Sequence, residues 1–270
     1  MPVVSLINLK GGVGKTSSCL HLAGALAVMG RHVLCLDNDP QSSLSNGFLG
    51  PEATRVLDPS ETLAWVYAGN DPMPGQVIRP TGFDRIDLLA GSRAAATYNV
   101  PDPHQAPLTR QLCLRDFLDP VRDLYDLVLI DCPPTLSLAS WAAMAASDAF
   151  LVPTQPEDFG SQGVQDVLES ADAVRALVNP SLTLAGLLIT MVQPRRAVHQ
   201  LYAAKLREAL GSAVFTASVP ESVDYVEAVA SRRPVAFSKP RGAAAKAIRA
   251  VAEELLARLA APVAGAGEAA

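Results

Sequence analysis

The run Lys10-Gly11-Gly12-Val13-Gly14-Lys15-Thr16 limits what this chain can fold into more than any other stretch. Residues 3–9 precede it as an apolar segment that reads as a buried strand. Residues 16–29 follow with apolar side chains at helical spacing, and Gly30 stops them. Strand, glycine-rich turn and helix in that order make a phosphate cradle. Glycines let backbone N–H groups converge on an anion with no Cβ in the way, and the helix N-terminus adds positive potential. In such a loop Lys15 supplies a point charge for the β- and γ-phosphates and Thr16 a hydroxyl for Mg²⁺. Gly11, Gly12, Val13, Gly14 and Ser17 complete the expected nucleotide-binding stretch. The competing reading is a loop that merely clusters glycines, and the strand and helix on either side argue against it.

Charged side chains make up 18% of the 270 residues and apolar ones 49%, which suits one α/β domain over residues 1–260. The Pro/Gly/Ala tail at 261–270 is expected to be disordered. No uncharged apolar run reaches the roughly 18 residues a membrane span needs. The first strand begins within three residues, leaving no room for a signal peptide. Cys19, Cys35, Cys113 and Cys132 lie in or beside apolar runs without metal-ligand spacing, as reduced core residues of a cytoplasmic protein would.

A second strand, 32–36, ends in Asp37-Asn38-Asp39-Pro40-Gln41. Carboxylates at the C-terminal end of a strand beside the first strand–helix turn sit where α/β folds put their chemistry. Further strands are expected at 85–89, 126–131, 150–153, 184–189 and 214–219, and helices at 60–67, 109–121, 142–149 and 239–259. A helix starting at 93–98 is broken by three prolines in 99–107, which read as an exposed loop with a solvated His104. The expected fold is α/β: a doubly wound, mostly parallel sheet with helices on both faces.

The glycine loop departs from the ordinary phosphate loop, with Leu9 in place of its first glycine and a second lysine at Lys10. In this it resembles the deviant Walker A motif of the ATPases that include ParA partition proteins, MinD and the nitrogenase iron protein. The resemblance implies that Lys10 reaches across an ATP-sandwich homodimer to the partner's phosphates. Asp37-Asn38-Asp39-Pro40-Gln41 is similar to the ParA switch I segment, which implies that Asp39 orients the attacking water and Asp37 lies near the Mg²⁺ shell. Asp131-Cys132-Pro133-Pro134 resembles the family's Walker B segment, making Asp131 the holder of a Mg²⁺-bound water. Residues 154–157 and 161–163 resemble the segment after the following strand, and Met191, Pro220 and Ser222 fall where relatives form the adenine pocket.

The function so implied is that of a ParA-type partition ATPase without a DNA-binding domain ahead of its first strand. It would dimerise with ATP, bind DNA without sequence preference, and hydrolyse ATP when a ParB-like adaptor stimulates it. Two alternatives stay open. One is a cargo-positioning ATPase acting on a protein assembly. The other is a MinD-like membrane-surface ATPase, which Pro40-Gln41 and the carboxylates Glu253 and Glu254 in the last helix disfavour. Residues 191–249 hold ten Lys/Arg against four Asp/Glu, in a chain of net charge −5. That asymmetry nominates Arg195, Arg196, Arg232, Arg233, Lys239, Arg241, Lys246 and Arg249 as DNA contacts. Against it, relatives carry arginines just after the strand-end proline, where this chain has Glu221 and Asp224. Any DNA surface must then centre on Arg232 and Arg233 with the last helix.

Overall fold

Strands β1 (Val3–Leu6), β2 (Val33–Asp37), β3 (Ile78–Pro80), β4 (Ile86–Leu89), β5 (Leu127–Asp131), β6 (Ala149–Thr154) and β7 (Thr183–Ile189) form one sheet in the order β3-β4-β2-β5-β1-β6-β7. The computed structural model describes residues 1–156 and 162–260. Glu157 and Ser161 of the resembling segment, and the 261–270 tail, lie outside the described residues. Neighbouring strands run parallel except β3, which lies antiparallel on β4 at one edge. β1, β2, β5 and β6 are buried at every position, as strands covered on both faces must be.

Alternation along the strands sorts the core into two layers. Val128 and Ile130 of β5 join Leu34 and Leu36 of β2 on one face, while Leu127 and Leu129 join Val33 and Cys35 on the other. The first face is covered by α4 (Leu63–Tyr67), α7 (Cys113–Leu118), α8 (Leu138–Ala146), α9 (Gln162–Leu177) and α10 (Ala197–Leu210). The second is covered by α1 (Lys15–Val28), α2 (Ser43–Leu49), α11 (Val223–Ala230), α12 (Val235–Ser238) and α13 (Ala243–Ala260). Short helices α3 (Pro51–Arg55), α5 (Pro74–Val77) and α6 (Leu108–Gln111) lie between these elements along the chain. The expected doubly wound sheet is therefore the observed one.

Five expectations need correction. The segment 214–219 is no strand. It runs along β7 with isolated bridges, Leu187 with Val214 and Val192 with Pro220. Phe215 N and Val219 N donate to Leu187 O and Ile189 O (2.9 Å each) without forming a continuous ladder. Between those bonds, side chains of α13 take backbone groups of the segment. The Glu254 carboxylate accepts from Thr216 N (2.9 Å) and Ala217 N (2.8 Å), and Arg258 donates to Ala185 O, Ser212 O and Val214 O. The helix expected at 109–121 is α6, α7 and a 3₁₀ turn, Asp119–Leu124, because Pro120 cannot sit inside an α-helix. The last helix begins at Ala243 rather than 239, since Pro240 pushes Lys239 out of the helical region, to φ −138° and ψ 64°. The 60–67 helix splits into a 3₁₀ turn, Pro59–Glu61, and α4, and 93–98 is a 3₁₀ turn, Arg93–Thr97.

The loop at 99–107 carries its own 3₁₀ turn, Pro103–Gln105, and is tied down. Asn99 Oδ1 accepts from Ala139 N (2.9 Å) and Val100 O from Leu138 N (3.0 Å), which caps the first turn of α8. His104, expected to be merely solvated, sets its ring edge-on to Trp141 at 4.7 Å between centroids.

Candidate nucleotide site

Parallel strands deliver the ends of β1, β2 and β5 to one edge of the sheet, and the glycine loop lies across it. Gly12 and Gly14 take φ values of 77° and 87°, and Gly14 in this left-handed conformation caps α1. Asn8 anchors the entry: Nδ2 donates to Pro153 O (2.7 Å) and Oδ1 accepts from Lys10 N (2.9 Å). Lys15 is buried, and its Nζ donates to Asn8 O (2.8 Å) and Lys10 O (3.1 Å). Burial lowers its pKa, while the charges of Asp131 and Asp39 nearby pull the other way. Lys10 itself is exposed at the loop's rim.

The register pairs Asp37 directly with Asp131 across β2 and β5. Both carboxylates are fully buried. Burial pushes Asp37 up to about 7, and burial plus the Asp37 charge raises Asp131 well above the carboxylate range. Asp37 Oδ2 accepts from Ser45 N (2.7 Å) and Ser45 Oγ (2.6 Å), and Ser45 Oγ accepts from Gly91 N (2.9 Å). Gly91 is required by approach: a Cβ there would stand 2.9 Å from the Asp37 carboxyl carbon. Asp37 Oδ1 and both oxygens of Asp131 have no full hydrogen-bond partner, although the Thr16 hydroxyl faces Asp131. Buried acceptors left open beside a hydroxyl and an ammonium are a donor set that fits a hard divalent cation. Asp39, half-buried, accepts from Gln41 N (2.9 Å) and adds its charge to the same cluster.

The structure thus brings Lys15, Thr16, Asp37, Asp39 and Asp131 together. It also supplies contacts the motif reading passed over. Thr190 Oγ1 donates to Val13 O (2.8 Å), and Gln155 Nε2 donates to Gly12 O (3.3 Å), so the ends of β6 and β7 hold the loop. Met191, at φ 54°, packs against Gly14 and helps line a cavity of about 240 Å³ with Gln155, Pro156, Gln193, His199 and Glu221. Pro220 and Ser222 do not line it; the Ser222 hydroxyl accepts from Asp224 N and caps α11. Asn8 alone had a visible signal, a polar residue closing an apolar run just before the loop. Gln155 lies in the segment 154–157 that resembles the family, but its contact with Gly12, like that of Thr190 with Val13, had no signal, because each partner is over a hundred residues away.

The basic candidates scatter. Arg195 and Arg196 lie between β7 and α10, and Arg232 lays its guanidinium over Gly50 at the end of α2. Arg233 follows α11, and Arg241, Lys246 and Arg249 are exposed around α13. Lys239 is held by Asp224 (2.5 Å) and Glu227 (2.6 Å), and Arg249 by Glu253 (2.9 Å).

A family model described as an AAA domain matches residues 1–184. The chromosome-partitioning ATPase Soj of Thermus thermophilus is 35% identical over 256 residues, covering 95% of this chain and 96% of Soj. The chromosome partitioning protein ParA of Caulobacter vibrioides is 32% identical over 259 residues, covering 95% of this chain and 94% of ParA. The solved structure of the septum site-determining protein MinD from Pyrococcus horikoshii, complexed with Mg-ADP, superposes with a TM-score of 0.71. It is 25% identical and covers 97% of this chain and 99% of MinD. Glycine loop, paired carboxylates, sheet order and these similarities agree: the chain belongs to the ParA/MinD-type P-loop ATPases.

Proposed function

We propose that this protein is a partition ATPase of the ParA type, which dimerises around ATP and hydrolyses it under stimulation by a ParB-like adaptor. One observation carries the reading: Lys15, Asp39, Asp37 and Asp131 converge under a glycine loop at the C-terminal edge of a parallel sheet. The loop amides and Lys15 bind and orient the phosphates of ATP, exchanging the carbonyl contacts of Lys15 Nζ for phosphate oxygens. Asp39 holds the attacking water in line, and Lys10 at the rim reaches the nucleotide of the second protomer. Thr16, Asp37 and Asp131 would hold Mg²⁺ directly or through water, and the ion supplies charge neutralisation for the phosphates. The cavity beside Met191 takes the base. The protein works in the cytoplasm, on the nucleoid if it binds DNA.

Calorimetry and phosphate release test this together. Lys15→Ala removes a charge-assisted contact worth about 1.5–3 kcal/mol, so ATP affinity falls at least roughly tenfold. Asp39→Ala keeps ATP binding and loses hydrolysis. Unchanged affinity in Lys15→Ala refutes the site.

Non-specific DNA binding belongs to the same reading, centred on Arg232, Arg233 and the exposed cations of α13. A gel-shift salt series on random duplex, wild type against Arg232→Glu/Arg233→Glu, reads it through a slope near −0.9 per phosphate contact. A second reading, a cargo-positioning ATPase on a protein assembly, is favoured by Glu221 and Asp224 and by the neutralised Lys239. Wild type that fails to shift DNA at low salt selects it. A membrane-surface role is disfavoured: α13 buries its apolar side, with Ile248, Val251 and Leu255 in the core.

A further inference from the structure

The residue between the two switch carboxylates, Asn38, is buried among three other parts of the fold. Its backbone N–H donates to Asp131 O (2.9 Å), continuing the β2–β5 ladder past Asp37. Its side chain is 2% exposed. Nδ2 donates to Ala139 O in the first turn of α8 (2.8 Å), and Oδ1 accepts from the phenol of Tyr67 on α4 (2.8 Å), itself buried. The amide also reaches the thiol of Cys132, the residue after Asp131. One short side chain therefore joins the loop carrying Asp39, the turn after Asp131 and the helix that follows that turn.

That helix end is fastened from outside as well, because Asn99 and Val100 take the N–H groups of Ala139 and Leu138. The first turn of α8 is thus fixed at its amides by the 99–107 loop and at the Ala139 carbonyl by Asn38. A buried amide with both ends satisfied has one low-energy rotamer, and it transmits displacement without slack. We propose that Asn38, set by Tyr67, is a positioning residue for hydrolysis: it clamps the Asp37–Gln41 loop to the first turn of α8 and so fixes where Asp39 points. The Asn38 side chain is buried on Tyr67 and Ala139. It acts through Asp39, and the inference rests on the ATPase reading above.

A purely structural role predicts loss of stability alone, and the fold provides a matched control. Asn179 grips the other end of α8, with Nδ2 donating to Met144 O (2.9 Å) and Ser147 O (2.7 Å), far along the chain from Asp39. The experiment compares Tyr67→Phe, which keeps shape and removes only the phenol, with Asn38→Ala and Asn179→Ala. Melting temperature, ATP affinity, KM and kcat are read for each. The expected result is a fall of roughly tenfold or more in kcat for Tyr67→Phe and Asn38→Ala, with KM and ATP affinity within about twofold of wild type. Asn179→Ala should lower the melting temperature at least as far and keep its kcat. If Tyr67→Phe, folded and binding ATP, keeps wild-type kcat, the clamp is wrong. An equal loss of kcat in Asn179→Ala also overturns it, leaving stability as the cause. Wild type that binds ATP and releases no phosphate fails at the earlier step, and refutes the ATPase reading with the clamp.

Discussion

Replacing Arg258 by alanine should destabilise this protein strongly. The guanidinium is nearly enclosed, with the side chain 13% exposed. It donates to Ala185 O (3.1 Å), Ser212 O (2.8 Å) and Val214 O (3.0 Å), pairs with Glu254 Oε1 (2.7 Å) and lies 4.2 Å from the Phe215 ring centroid. Ala185 and Val214 are buried, so their carbonyls lose a donor that water replaces poorly, at about 1–3 kcal/mol each. The lost stacking on Phe215 adds about 1 kcal/mol. Glu254 keeps the amides of Thr216 and Ala217 and adds little. The sum is about 3–7 kcal/mol, a large share of a typical domain's 5–15 kcal/mol. At roughly 2–4 °C per kcal/mol for a chain of this size, the melting temperature should drop by about 6 °C or more. Lysine restores the charge but presents a point donor where a planar fork is needed, so Arg258→Lys should recover only a minor part. Urea unfolding and calorimetry measure both variants. A melting temperature within about 2 °C of wild type for Arg258→Ala would refute the claim that this clamp replaces the missing strand.

Three further outcomes follow from particular contacts. His21 is buried, its Nδ1 accepting from Val235 N (3.1 Å) and its Nε2 unpartnered, and burial lowers its pKa to about 4 from 6.5. The unfolded chain therefore binds a proton first as pH falls. Stability present above pH 6.5 is lost between there and pH 4, by about 3 kcal/mol, and His21→Phe should flatten that part of the urea-midpoint profile. Gly24→Ala improves helix propensity yet sets a Cβ 2.3 Å from Pro234 Cβ, so it should destabilise by about 1–3 kcal/mol by thermal melting. Lys10→Ala should leave the monomer's melting temperature unchanged and abolish ATP-dependent dimers in light scattering. Normal dimers would reduce Lys10 to a loop lysine.

Local chemistry was enough to expose the glycine loop, the strand-end carboxylates and the alternation of strands and helices, since each depends on residues adjacent in the chain. Gly12 and Gly14 must be glycine for their own backbone angles, and Asp37 and Asp131 end apolar runs that can only be buried strands. The edge of the sheet was another matter. Residues 214–219 alternate little differently from a strand, yet Thr216 N, Ala217 N and Val214 O bond to Glu254 and Arg258 arriving from α13, while Phe215 N and Val219 N keep their bonds to β7, so the segment is no continuous ladder. The proline-rich loop was equally silent, because its work as a cap on α8 depends on Asn99 meeting an amide forty residues later. Nothing local marks Asn38, between two aspartates, as a residue that Tyr67 and Ala139 close around. Backbone angles and burial periodicity are written in neighbouring residues; the partner of a buried polar atom is chosen by whichever distant segment the fold brings within 3 Å, and no local pattern encodes that meeting.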